Sequence, residues 1–184
     1  MILKDLEIDK AWTLFLDRDG VINKRLIGDY IKTWDQFEFI PGVPEAMKIF
    51  GSLFGKIIVV TNQQGVGKNM MTEEDLLAIH AKMNEAITDA GGRVDKVYFS
   101  PHLENEGSFL RKPGIGMALK ARRDFPGIIL KKSVMVGDSK SDMIFGHRCN
   151  MKTVFIAGDK MVLRQNHKII DFSFPNLLSF AQTL

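Results

Sequence analysis

Ile57-Ile58-Val59-Val60 is apolar at four successive positions. A strand with one face in water alternates apolar and polar residues, whereas a run without alternation needs both faces covered. Residues 12–16, 56–60, 94–99, 133–136 and 153–156 all read as near-continuous apolar strands. Amphipathic stretches separate them, at residues 44–54, 73–90, 114–125 and 141–149, with a closing helix at 175–182. Strands alternating with helices predict an α/β fold, a doubly wound parallel sheet.

The punctuation agrees. Pro44 opens the first helix. Thr72 stands at a capping position with Asp75 in place of the usual capping-box Glu, and Gly91-Gly92 stops that helix. Pro126-Gly127 ends the next. The chain shows no repeat, linker or low-complexity segment, and 184 residues suit a single domain over 1–184.

Composition removes several classes. With 45% hydrophobic and 26% charged residues the chain is neither disordered, collagen-like nor a coiled coil. Cys149 is the one cysteine, so an intrachain disulfide and a Cys-rich zinc site are both excluded. Asp5 and Glu7 interrupt the N-terminus before any apolar run, which argues against a signal peptide. No run approaches the ~20 apolar residues of a membrane span. The expected location is cytoplasmic, with no membrane partner. A net charge of +3 without a basic stripe argues against nucleic acid as a partner. Nothing in the sequence sets an oligomeric state.

In doubly wound sheets the site lies beyond the carboxyl ends of the strands. The first strand ends in Asp17-Arg18-Asp19-Gly20-Val21-Ile22-Asn23, two carboxylates two residues apart. Burying two anions together is costly unless a cation or hydrogen bonds compensate. The second strand leads into Thr61-Asn62-Gln63-Gln64-Gly65-Val66-Gly67-Lys68, a hydroxyl followed by a Gly-containing loop suited to phosphate oxygens. It is not a nucleotide-binding P-loop, because Asn62 replaces the first Gly and Asn69 the Ser or Thr. Arg111-Lys112-Pro113 places a lysine before proline, held extended and able to aim at an anion. The fourth strand runs into Gly137-Asp138-Ser139-Lys140-Ser141-Asp142. Singly, each segment reads as well as a turn, a cap or a surface. Together they offer hard oxygen ligands of the kind Mg²⁺ takes, beside a Thr, a Lys and loop amides for a phosphoryl group.

The four segments resemble the motifs of the haloacid dehalogenase-like phosphohydrolases: D-x-D-G, a strand-end Thr, a Lys, and G-D-x-x-x-D. The longer strings through Asn23, Thr61-Asn62-Gln63 and Arg111-Lys112-Pro113 are similar to the small, largely capless branch. That branch holds heptose 1,7-bisphosphate 7-phosphatases and histidinol-phosphate phosphatases. The resemblance spans about residues 14–156. It implies a Mg²⁺-dependent phosphatase of a small phosphorylated metabolite, acting through an aspartyl-phosphate. Asp17 would be the nucleophile. Asp19 would be the acid and then the base, which calls for a raised pKa. Thr61 and Lys112 would hold the phosphoryl oxygens. The metal would take Asp17, Asp138 and the backbone carbonyl of Asp19, with Asp142 orienting that shell.

Two departures stand out. Many heptose-bisphosphate phosphatases carry three Cys and one His before the Arg-Lys-Pro. Here His102 stands alone, so no zinc is expected. Relatives often place Lys after the fourth-motif Gly-Asp, where this chain has Ser139 and then Lys140. The short intervals between motifs leave no room for a large cap. An open site would be ringed by residues 23–35, 64–71 and 100–110, with Asn62, Gln63, Arg25, Asp29, Tyr30, Lys68 and Arg111 as substrate-binding candidates. Histidinol phosphate and a DNA 3′-phosphate are alternative substrates. A phospho-acceptor receiver module is the alternative of another class, disfavoured because Asp17 and Asp19 pair nucleophile with acid. His80 reads as packing or surface, and the Phe-rich end (Phe172, Phe174, Phe180) as core.

Overall fold

A computed structural model describes residues 6–156, 163 and 165–184. Within them, six strands form one parallel sheet: β1 Thr13–Leu16, β2 Lys56–Asn62, β3 Lys96–Ser100, β4 Ser133–Gly137, β5 Lys152–Ile156 and β6 Phe172–Phe174. The order is β3-β2-β1-β4-β5-β6, and every pair is parallel. The chain builds outward from β1 to β3 and then returns to the other side of β1. The topological switch therefore falls beside β1, with β2 and β4 as its immediate neighbours. That is where such sheets bind ligands.

The helices are α1 Val43–Leu53, α2 Gln64–Gly67, α3 Glu73–Asp89, α4 Gly116–Asp124, α5 Lys140–Arg148 and α6 Leu177–Ala181. The expected elements recur with boundaries moved by one or two residues. Thr72 and Asp75 form the anticipated reciprocal capping box. The Gly-containing stretch after Asn62 is not an open loop throughout. It closes into the short α2, with Lys68 N–H donating to the Gln64 carbonyl at 2.9 Å. Val66 packs against the core there, which favours the compact turn over an extended loop.

The apolar runs follow from burial on both faces. Leu14, Leu16, Ile57, Val59, Val134 and Val136 point to one side, where α1, α3 and α6 cover them through Met47, Phe50, Leu76, Met83 and Phe180. Phe15, Ile58, Val60 and Met135 point to the other, under Met117 and Ala121 of α4 and Phe145 of α5. Full burial of one such side chain contributes about 1.5–3 kcal/mol. Phe180 is fully buried and its ring lies 5.4 Å from that of Phe174, so the Phe-rich end joins the core. No helix among the described residues is long and apolar enough to cross a membrane.

Candidate active site

β1 delivers Asp17 to the centre of the carboxyl edge. Its backbone N–H continues the ladder to the Val136 carbonyl at 2.9 Å. Its Oδ1 accepts the Arg18 N–H at 2.7 Å and faces Lys112 Nζ at 2.8 Å. Lys112 is almost fully buried, and its ammonium also reaches Asp142 Oδ1 at 2.6 Å and the Val60 carbonyl at 2.7 Å. All three of its donors are thus engaged. Burial works to lower the Lys112 pKa, but Asp142 and Asp17 outweigh it and hold the ammonium charged.

Asp142 is fixed from behind. It forms a capping box with Ser139 at the start of α5, accepting the Ser139 hydroxyl at 2.5 Å and its N–H at 3.1 Å. Asp138 stands at the end of β4. One ligand oxygen from each of Asp17, Asp138 and Asp142 lies within 4.8 Å of the others. Burial first, and then the Asp142 charge, push the Asp17 carboxyl up to about 6 against the pull of Lys112. Burial and the Asp17 charge push Asp138 up to about 7. Three crowded hard oxygens, two of them on carboxyls (Asp17 and Asp138) that resist ionising, are a fit for a divalent cation.

Two glycines explain their places in the motifs. Gly20 has φ +92, and a Cβ there would lie 1.9 Å from Asp138 Oδ2. A Cβ on Gly137 would lie 2.2 Å from the Asp142 Cβ. Each glycine lets two acid-bearing segments approach more closely than any side chain would allow.

Asp19 departs from expectation. Its carboxylate is gripped by Arg18, with Nη2 at 2.8 Å from Oδ1 and 2.9 Å from Oδ2. Asn23 donates to Oδ1 at 3.0 Å and Gln63 to Oδ2 at 2.7 Å. Burial alone would raise its pKa, but the Arg18 charge and these hydrogen bonds together hold it below the ordinary 3.8. The expected raised pKa is therefore corrected to a lowered one. Arg18, buried beside Asp19, is a site residue that nothing in the local sequence singled out.

The side-chain amides of Asn62 and Gln63 are engaged within the protein. The Asn62 amide pairs with the Lys112 backbone, donating to its carbonyl at 3.0 Å and accepting its N–H at 2.9 Å. Gln63 spans Asp19 and the Thr61 hydroxyl, 2.9 Å away. Both line the cleft, but their amides position catalytic candidates. Thr61, near the end of β2, is buried beside them.

The cleft encloses about 290 Å³ and is lined by Asp17, Asp19, Thr61 and Lys112 at its floor and by Arg25, Asp29, Tyr30 and Arg111 higher up. Arg25 Nη2 reaches Asp138 Oδ1 at 2.9 Å and the Asp19 carbonyl at 3.2 Å. Asp29 pairs with Lys32 at 2.8 Å, and Lys68 donates to the Tyr30 hydroxyl at 2.9 Å. Lys68 meets the rim through Tyr30. Ser139 is spent on the α5 cap, and Lys140 is exposed. His102 Nδ1 lies 2.8 Å from Glu106 Oε2, and Arg111 reaches the His102 carbonyl at 3.3 Å, so side-chain and backbone contacts tie that rim loop.

Fold and site together place the chain among the haloacid dehalogenase-like phosphatases. It belongs to the family described as Polynucleotide kinase 3 phosphatase, which matches residues 13–180. The D-glycero-alpha-D-manno-heptose-1,7-bisphosphate 7-phosphatase of Mycobacterium bovis is 36% identical over 170 residues, 92% of this chain and 90% of the relative. The D-glycero-beta-D-manno-heptose-1,7-bisphosphate 7-phosphatase of Pasteurella multocida is 33% identical over 178 residues, 93% and 95% of the two chains. Among solved structures, the D,D-heptose 1,7-bisphosphate phosphatase of B. bronchiseptica, complexed with magnesium and phosphate, superposes with a TM-score of 0.84. It is 27% identical, covering 93% of this chain and 96% of that one.

Proposed function

We propose that this phosphatase removes the 7-phosphate from a D-glycero-D-manno-heptose 1,7-bisphosphate in a Mg²⁺-dependent reaction. One observation carries the chemistry. The Asp17 carboxylate stands at the floor of an open cleft with Lys112, Thr61 and Asp19 around it. The substrate class is supported by the likeness to heptose-bisphosphate phosphatases over more than nine-tenths of the chain.

Asp17 attacks phosphorus, and the bond from phosphorus to the sugar oxygen breaks. The leaving alkoxide takes a proton from Asp19. A water then gives its proton to Asp19 and attacks the aspartyl-phosphate, releasing inorganic phosphate and freeing Asp17. Asp19 as Arg18 holds it is the ionised, proton-accepting form. The approach of an anionic ester raises its proton affinity and readies it as the acid. Lys112 and the Thr61 hydroxyl hold phosphoryl oxygens as charge spreads over them. Asp17, Asp138 and the Asp19 carbonyl would hold the Mg²⁺, with Asp142 orienting them. When bound, the ion neutralises the repulsion between carboxylate and phosphate.

The test is phosphate release with Mg²⁺ from both anomers of heptose 1,7-bisphosphate, fructose 1,6-bisphosphate, histidinol phosphate and a 3′-phosphorylated oligonucleotide. Asp17→Asn is the blank. A preference of ~100-fold in kcat/KM for one heptose anomer, about 2.7 kcal/mol of discrimination, supports the reading. The second reading is a DNA 3′-phosphatase, favoured by the family description. Oligonucleotide turnover that falls steeply with salt would establish it instead.

A further inference from the structure

Arg18 is the largest fully buried side chain among the described residues. A guanidinium has only donors, so a buried one needs acceptors on every edge. One edge is satisfied by Asp19. The other lies against α3, where Arg18 Nη1 sits 3.2 Å from His80 Nε2. Since the guanidinium cannot accept, Nε2 must, and the neutral ring then carries its proton on Nδ1. Burial, and then the Arg18 charge, push the His80 pKa down to about 3, which keeps that acceptor available. Phe99 limits the ring from one side, its centroid 6.1 Å away. The buried face of α3 is otherwise apolar, with Leu76, Ile79, Met83 and Ile87 around this one polar group.

We infer that His80 is a positioning residue for Asp19, acting through Arg18. The inference rests on the phosphatase reading above. Asp19 carries a proton to the leaving oxygen, so its carboxylate must stay within hydrogen-bond reach of that oxygen. Arg18 sets the direction of the carboxylate through both its oxygens, and His80 sets the direction of Arg18. Removal of the acceptor leaves a buried Nη1 donor unpaired, and the guanidinium turns to find another partner. Asp19 turns with it.

A merely structural role for His80 would lower all turnover alike. A positioning role depends on the leaving group. A sugar alkoxide needs the Asp19 proton, whereas para-nitrophenolate leaves without it. The parameter kcat/KM reports the steps through phosphoryl transfer to Asp17, where that proton is used. The experiment compares the heptose bisphosphate with para-nitrophenyl phosphate for wild type, His80→Leu and His80→Gln. The Leu variant is expected to lose about tenfold in kcat/KM on the sugar and less than about twofold on the aryl ester. The Gln variant, whose side-chain carbonyl can accept from Nη1, is expected to recover most of the sugar activity. Equal losses on both esters, or a Gln variant as impaired as Leu, would overturn the inference and leave the phosphatase reading standing. A wild-type enzyme no better than Asp17→Asn on either ester would overturn both. Nitrogen NMR on the wild type needs no variant. A neutral His80 ring protonated on Nδ1 at about pH 6 is expected, and an imidazolium there would overturn the inference.

Discussion

Arg25 spans two of the groups proposed to hold the metal, with Nη2 2.9 Å from Asp138 Oδ1 and 3.2 Å from the Asp19 carbonyl oxygen. A cation binding there competes with a guanidinium already in place. Arg25 is about half exposed, at 52%, so solvent screens the pair and the competition is modest. Arg25→Ala is expected to bind Mg²⁺ about fivefold more tightly in calorimetry. Unchanged or weakened affinity would show that Arg25 supports the ion rather than competing with it.

The acid cluster makes the metal-free protein sensitive to pH. Asp138 titrates near 7 when folded against an ordinary 3.8, and Asp17 near 6. Between those values the folded state keeps protons that the unfolded chain has released. Their contribution to stability is full below about pH 4 and is lost as pH rises through 6 and 7. Asp19 works in the opposite sense, but its lowered pKa confines that loss to pH below 3.8. The metal-free melting temperature should therefore fall from about pH 5 to about pH 8. Mg²⁺ competes with the same protons, so the rise in melting temperature on adding it should be larger at pH 8. A Mg²⁺ response independent of pH would mean that the ion binds elsewhere.

Asp19→Asn removes the proton carrier but keeps a similar shape. Turnover of a sugar phosphate should fall by about 10²-fold or more. Near-native turnover would remove Asp19 from the mechanism. The measurement should include Mg²⁺ binding, which Asp19 is proposed to support through its backbone carbonyl and which should survive the change.

The motif residues were legible because strand ends are set locally, by apolar runs that stop at Asp17, Thr61 and Gly137. The Thr72–Asp75 capping box was legible for the same reason, since its partners lie three residues apart. What escaped depends on distant partners. The strand Phe172–Phe174 has only three residues and owes its conformation to pairing with β5. Arg18 finds His80 across 62 residues of chain, so neither looked functional alone. The amides of Asn62 and Gln63 clamp Lys112 and Asp19 across 50 and 44 residues of chain, contacts that no local pattern foretells. The sign of the Asp19 pKa shift depends on where Arg18 points, which no local pattern shows.

Gly20→Ala tests the close approach of the two acidic segments. The added Cβ would overlap Asp138 Oδ2 at 1.9 Å, and φ +92 disfavours any Cβ. The left-handed strain alone costs about 1–3 kcal/mol. Asp138 must move to make room, so Mg²⁺ affinity should drop together with stability. A variant with lower stability but wild-type Mg²⁺ affinity would show that Asp138 does not hold the ion.

Lys112→Met should show how the buried charges hold one another. The ammonium sits between Asp17 at 2.8 Å and Asp142 at 2.6 Å, and all three groups are buried. Removing one member of such a set leaves uncompensated charge and costs about 3–5 kcal/mol. The cost should depend on pH. Without its cation, Asp17 titrates above its present value of about 6, so at about pH 5 it is protonated and carries little charge to strand. Urea denaturation should therefore show a large loss near pH 8 and a smaller one near pH 5. An equal loss at both would assign the effect of Lys112 to packing and its bond to the Val60 carbonyl, 2.7 Å away, rather than to the acids it separates.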